Sequence, residues 1–183
     1  MNIDIVINIL LVVVLVITGF MIYGYNALVK RQNHVEESES NIQIYLEKRF
    51  DLVPNLVEVV KGYTKHEEDT IKDVVKAREK YGGQFSVSGV DAAEKSINRL
   101  IAIAEKYPNL KADTQYLSLS HKLAEIEDEI EHVRRTYNRV ATGYNTKVQT
   151  VPFSLVAKIF NFQKKELFKL GSEDKKEAVE VKM

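Results

Sequence analysis

Residues 116–144 read YLSLSHKLAEIEDEIEHVRRTYNRVATGY, and their spacing decides the fold. Tyr116, Leu119, Leu123, Ile126, Ile130, Val133, Tyr137, Val140 and Tyr144 follow one another by three and four residues without a miss. An α-helix completes a turn in about 3.6 residues, so these positions fall on one narrow stripe. Four heptads of this kind make a seam suited to coiled-coil or bundle packing, and such a seam requires partner helices. Asp113 or Thr114 can cap the helix start, and Pro152 stands near its end.

Working toward the N-terminus, the partners are legible as three further helical patterns. Asp91 and Glu94 have capping-box spacing, with Asp in place of Ser or Thr, and are read as opening a helix. Its buried face is Ile97, Leu100, Ile101 and Ala104, and Tyr107-Pro108 closes it. Before it, Gly82-Gly83 and QFSVSGV (84–90) read as a break and a loop. A helix from about Pro54 to Tyr81 carries Leu56, Val57, Val60, Tyr63, Ile71, Val74, Val75 and Arg78 at helical spacing. An earlier helix runs from Asn26 to about Arg49, with Leu28, Val35 and Ile42 recurring every seven residues. Pro54 lacks a backbone donor and suits a first helical turn, so a tight bend is expected there; the alternative is a kink in one long helix.

Residues 5–23, IVINILLVVVLVITGFMIY, form an apolar run interrupted by Asn8, Thr18 and Gly19. Nineteen helical residues at ~1.5 Å each reach roughly 28 Å, against ~30 Å of bilayer hydrocarbon. Tyr23 and Tyr25 stand where an interfacial aromatic belt belongs. A cleaved signal peptide fits poorly, because no Lys or Arg precedes the run and no small-x-small site follows it. Lys30 and Arg31 follow the anchor, so the positive-inside rule places residues 26–183 in the cytoplasm and the N-terminus outside. The expected organisation is a short tail (1–4), a transmembrane anchor (5–25) in the lipid bilayer, a helical bundle (26–168) and a charged, disordered tail (169–183). The fold class is all-α: a single N-terminal transmembrane helix followed by a long-helix antiparallel bundle of about four main helices.

Composition narrows the function. Eight glycines and three prolines in 183 residues are about half the usual frequency. The 26 basic and 26 acidic residues balance, which gives no footing for nucleic-acid binding. Zero cysteines remove disulfides, thiolate nucleophiles and most structural zinc sites.

Several segments, in order, resemble the LemA family: YNALVKRQNHVEE (25–37), IYLEKRFDLVPNLVEVVKGYTKHEEDTIKDVVKARE (44–79), EKYPNLKADTQYLSLSHKLAEIEDEIEHVRRTYNRVATGYN (105–145) and VPFSLVAKIFNF (151–162). The resemblance implies an anchored antiparallel helical bundle in a bacterial or archaeal single-pass membrane protein. It implies no catalysed reaction.

The residues themselves offer little chemistry. His66-Glu67 fails the H-E-x-x-H pattern because Thr70 occupies the second ligand position. Glu129 and His132 have the Glu-x-x-His spacing of di-iron bundles, yet Arg31, Tyr63 and Ser118 precede the other histidines at that spacing, so no second pair exists. The run Glu125, Glu127, Asp128, Glu129 and Glu131 is read as a solvated face. No metal, cofactor or catalytic set is expected, and the chain is not read as an enzyme. Tyr137-Asn138 and Tyr144-Asn145 place buried phenols on the seam, with hydroxyls that need partners. Arg49, Asp51, Arg78, Arg134 and Arg135 are read as interhelical ion pairs that fix register, with a binding role as the alternative. FSLVAKIFNFQKKELF (153–168) is amphipathic: it is expected to pack back on the bundle, with an interfacial lipid contact as the alternative. The function expected is a membrane scaffold or adaptor that meets protein partners or copies of itself. The alternative is a self-assembling protein that organises or remodels membrane through this amphipathic segment.

Overall fold

The computed structural model describes residues 3–63, 67–81 and 85–169, with side chains throughout except at 68 and 77–81. Every regular element among them is helical: α1 (Ile3–Tyr63), α2 (Glu68–Tyr81), α3 (Val87–Ala102), a 3-10 turn (Ile103–Lys106), α4 (Pro108–Lys111), α5 (Thr114–Gln149) and α6 (Phe153–Ile159). The expected all-α class and the long seam helix are both present.

The bend at Pro54 is not. α1 runs through Pro54 for 61 residues, so anchor, first helix and the start of the second are one element. A proline inside a helix costs roughly 3 kcal/mol, a penalty that burial on both sides can offset. Leu46, Phe50, Val53, Leu56 and Val60 continue the buried stripe across the proline, while Pro54 itself faces solvent. α1 is described to Tyr63, and α2, from Glu68, takes up the remainder of the expected second helix. His66 lies outside the described residues, as does the tail beyond 169.

The start of α3 is also earlier than its spacing suggested. Ser86 is the cap: its backbone is extended and its Oγ accepts the Gly89 N–H at 3.1 Å. Starting there, rather than at Asp91, buries Val87 and Val90 in the core. A hydroxyl cap satisfies one of the open amides of the first turn. At the other end, Tyr107 is extended ahead of Pro108, which occupies the first turn of α4. Asp113 caps α5, its Oδ1 accepting from the Gln115 and Tyr116 N–H groups at 2.8 and 2.9 Å.

The chain forms two compact units, Met1–Glu37 with Tyr137–Leu167 and Ser38–Thr136 with Phe168–Met183, and both α1 and α5 contribute to each. In the second unit α1 and α5 are antiparallel, since Tyr63 meets Asp113 and Arg49 meets Glu127. α3 lines up antiparallel to α5 as well, with Asn98 near Glu127 and Asp91 near Arg134. α2 packs on α3, and its Ile71 and Val74 are buried. The seam of α5 is deepest at every seventh residue: Tyr116, Leu123 and Ile130 are buried, while Leu119, Ile126 and Val133 are half-buried.

In the first unit, Leu28, Val156 and Ala157 form a small core, with Phe20, Met21, Val148 and Phe162 packed around it. α6 ends in a left-handed Asn161 (φ 57°), and the Phe162 N–H closes the turn on the Ala157 carbonyl at 2.9 Å. Toward its N-terminus α1 carries an 18-residue window of mean hydropathy 3.1 with none of it buried, long and apolar enough to cross a membrane.

Candidate functional site: a buried charge cluster

On α1 the residues at seven-residue intervals are Leu28, Val35, Ile42, Arg49 and Leu56, each fully buried. Four are aliphatic and one is a guanidinium. Arg49 therefore stands in a core position, where a charge must be paired to be tolerated. A single nitrogen makes both of its bonds: Nη2 donates to Asn98 Oδ1 at 2.6 Å and to Glu127 Oε2 at 2.8 Å. Asn98 Nδ2 reaches the other oxygen of Glu127 at 3.4 Å, so the three side chains close on one another.

One turn before Asn98 on α3 stands Glu94, paired with Arg134 of α5 at 2.8 Å. The same Arg134 nitrogen meets Asp91 at 2.8 Å. The guanidinium also lies 4.6 Å from the ring centre of Phe168, whose edge meets Phe85. A cation over an aromatic face gains about 0.5–1 kcal/mol or more as water is removed. Two arginines thus face three carboxylates drawn from α3 and α5. Burial pushes the Glu94 carboxyl above its ordinary range, against the pull of Arg134 and Arg49 and with the push of Glu127 and Asp91. Arg49 Nε and Nη1, Arg134 Nε and Glu94 Oε1 are buried without a hydrogen-bond partner.

This arrangement suits structure better than proton transfer. Guanidinium groups keep their charge at any accessible pH and are neither acids nor bases. Through Nη2 alone, Arg49 joins α1 to α3 and α5, and Arg134 joins α5 to α3. The cluster borders a cleft of about 440 Å³ lined in part by Asn98, Glu127, Tyr116, Ser120 and Lys111. There the Tyr116 hydroxyl donates to the Ile101 carbonyl at 2.9 Å, and burial raises its phenol.

The other residues singled out in the sequence are scattered. Arg135 is exposed and bonds Glu131 of its own helix at 2.6 Å, so the expected interhelical pair is not formed there. Asp51 lies exposed on α1, and the Arg78 side chain is outside those described. Glu129 and His132 are exposed on α5, but Glu127 is not part of a wholly solvated face: it turns in to Arg49.

Tyr137, Asn138, Tyr144 and Asn145 belong to the first unit. The Tyr137 hydroxyl donates to the Glu166 carbonyl at 2.8 Å. Asn145 both donates to the Lys165 carbonyl and accepts its N–H, each at 2.8 Å, the way one strand would grip another. Asn138 is half-buried, and burial beside Glu36 raises the Tyr144 phenol. The segment 153–168 meets α1 through Val156 and Ala157. Sequence reading missed Glu94, Asn98 and Glu127 as partners of Arg49 and Arg134. The available signal was Arg49 itself, one step further along the repeat of Leu28, Val35 and Ile42.

Comparison with known proteins gives a family match. The family model described as LemA family matches residues 38–183. Protein LemA of Metamycoplasma hominis is 29% identical over 141 residues, covering 72% of this chain and 63% of its own length. Magnetosome protein MamQ of Magnetospirillum gryphiswaldense is 25% identical over 178 residues, 81% of this chain and 65% of its own length. Magnetosome protein MamQ 2 of Paramagnetospirillum magneticum is 25% identical over 193 residues, 89% of this chain and 70% of its own. The chain spans somewhat under two thirds of the length of the first two relatives. With a family match over most of its residues, the chain belongs to the LemA family.

Proposed function

We propose that the chain is a single-pass membrane scaffold that presents its helical bundle to protein partners or to further copies of itself, and that it catalyses no reaction. The observation that carries this reading is the continuity of α1. Its bare apolar end passes without a loop into the stripe that builds the core, so the bundle is held to the bilayer by its own central helix. The charge cluster serves that role by holding three helices in register rather than by acting on a substrate. Lys30 and Arg31 beyond the span favour a cytoplasmic bundle.

The test is a crosslink in cells. A photo-crosslinking residue at Asp128, exposed on α5, is activated in intact cells, and the membranes are then extracted with alkaline carbonate. Retention in the pellet, with adducts to one recurrent protein or to the chain itself, supports the scaffold. Release into the supernatant would remove the anchor from the proposal. A second reading, a self-assembling protein that shapes the bilayer, draws support from apolar residues that α6 leaves exposed, Leu155 and Ile159.

A further inference from the structure

We propose that α6 is a second membrane element: the face carrying Leu155 and Ile159, with Val151 and Phe160 at its ends, lies in the interfacial layer of an anionic lipid leaflet. The inference rests on the reading that α1 spans the bilayer. α6 has two faces with different fates. Val156 and Ala157 pack on Leu28, whereas Leu155 and Ile159, one turn apart on the other side, are 60% and 65% exposed. Val151 just before the helix is exposed as well, and Phe160 just after it is partly so beside Tyr25.

Position along α1 identifies the occupant. Phe153 lies 6.2 Å from the rings of both Phe20 and Tyr23, and Phe160 lies 4.8 Å from Tyr25. Val156 comes so close to Gly24 that a β-carbon there would meet its Cγ2 at 2.8 Å, so glycine is what admits α6 at this height. Residues 20–25 are the last turns of the candidate span, within about 8 Å of its end at ~1.5 Å per residue. Whatever surrounds these turns of α1 also surrounds the exposed face of α6.

Charge points the same way. From Thr150 to Lys165 the chain carries Lys158, Lys164 and Lys165 and no carboxylate. Lys147 sits with its Nζ 3.8 Å over the Phe153 ring. Apolar residues flanked by lysines, whose stems can lie along the hydrocarbon while the ammonium reaches headgroups, suit an anionic interface. A second copy of the chain would set lysine against lysine.

The test places single cysteines in the full chain, one at a time: Ile159→Cys on the α6 face, Val12→Cys in the span and Asp128→Cys on α5. Each is labelled with an environment-sensitive fluorophore. The protein is reconstituted in phosphatidylcholine vesicles with or without phosphatidylglycerol, and nitroxide lipids quench at shallow or deep acyl positions. The expected result is that the Ile159 label loses most of its emission to the shallow nitroxide, more so with phosphatidylglycerol. The Val12 label should respond to the deep nitroxide and the Asp128 label to neither. If Val12 is quenched and Ile159 behaves like Asp128, the anchor stands and the α6 inference falls. If the Ile159 label is unquenched and the unlabelled Ile159→Cys chain forms a disulfide between two copies, the face belongs to a second copy and the inference also falls. An unquenched Val12 label would overturn the spanning reading itself, and the α6 inference with it.

Discussion

Replacing Arg49 by methionine should leave the bundle about as stable as the parent chain or more so, while replacing it by alanine should destabilise it clearly. Nη2 makes two hydrogen bonds, one to a carboxylate, and such bonds contribute about 1.5–3 kcal/mol each in substitution experiments. Against them stand two buried donors without partners, Nε and Nη1, each costing about 1–3 kcal/mol. The two sums are of similar size, so the polar part of Arg49 nearly cancels. What survives is volume. Methionine fills most of the space of the arginine stem, whereas alanine opens roughly 80 Å³, which at ~24 cal/mol per Å³ is about 2 kcal/mol. Glu127 is 46% exposed, so its freed carboxylate can turn to water instead of remaining orphaned. A gap of about 2 kcal/mol between the two variants corresponds to roughly 4–8 °C in Tm for a chain of this size. Thermal unfolding of the full chain in detergent micelles, followed by far-ultraviolet circular dichroism, measures it. If Arg49→Met falls as far as Arg49→Ala, the guanidinium bonds themselves hold the bundle and the reasoning fails.

Three further outcomes follow from the same geometry. Burial raises the Glu94 pKa, so the folded chain holds that proton more tightly than the unfolded one. Its contribution to stability is therefore full below the ordinary glutamate value of 4.5 and is lost as pH rises through the folded pKa. Glu94→Gln should flatten that fall in a series of melts across pH, and an unchanged slope would count against it. Arg134→Ala leaves Glu94 buried without its partner and should cost about 3 kcal/mol in urea unfolding, whereas Arg135→Ala should change stability by no more than about 0.5 kcal/mol. Equal losses would contradict the placement of the two side chains. Tyr63 donates to Asp113 at 2.7 Å, holding that carboxyl below its ordinary range and raising the phenol. Tyr63→Phe should let the Asp113 pKa rise toward 3.8 in a carboxyl-resolved NMR titration, so the part of stability that needs an ionised Asp113 is lost at higher pH on acidification.

The long helices were legible because burial follows their spacing. Every seventh residue of α5 from Tyr116 to Tyr144 is buried, and so is every seventh of α1 from Leu28 to Leu56. Pro54 misled because local propensity is a weak prior against a seam that runs past it on both sides. Ser86 was passed over for Asp91 because the spacing of Asp91 and Glu94 looked like a cap, yet both side chains serve Arg134. The cluster was half visible. Arg49 and Arg134 stood out as residues, but which carboxylates they meet depends on the offset between α1, α3 and α5. No single helix encodes that offset. Glu127 illustrates the gap: it sits in an acidic run, and only the approach of α1 makes it different from Asp128 beside it.

The close approach of Gly24 and Val156 has a consequence for how the chain is made. These residues are far apart in the sequence, so the contact forms only after residue 156 has been synthesised. The apolar part of α1 leaves the ribosome before the rest of the bundle and, on the spanning reading, can enter the bilayer at once. Leu28 must then wait for α6 to cover it. On the same reading, the uncovered leucine would stand at the membrane surface, where lipid would shield it from other nascent chains. On the spanning reading, a first unit built from segments far apart in the sequence inserts α1 early and closes later, when α6 packs and Asn145 meets Lys165.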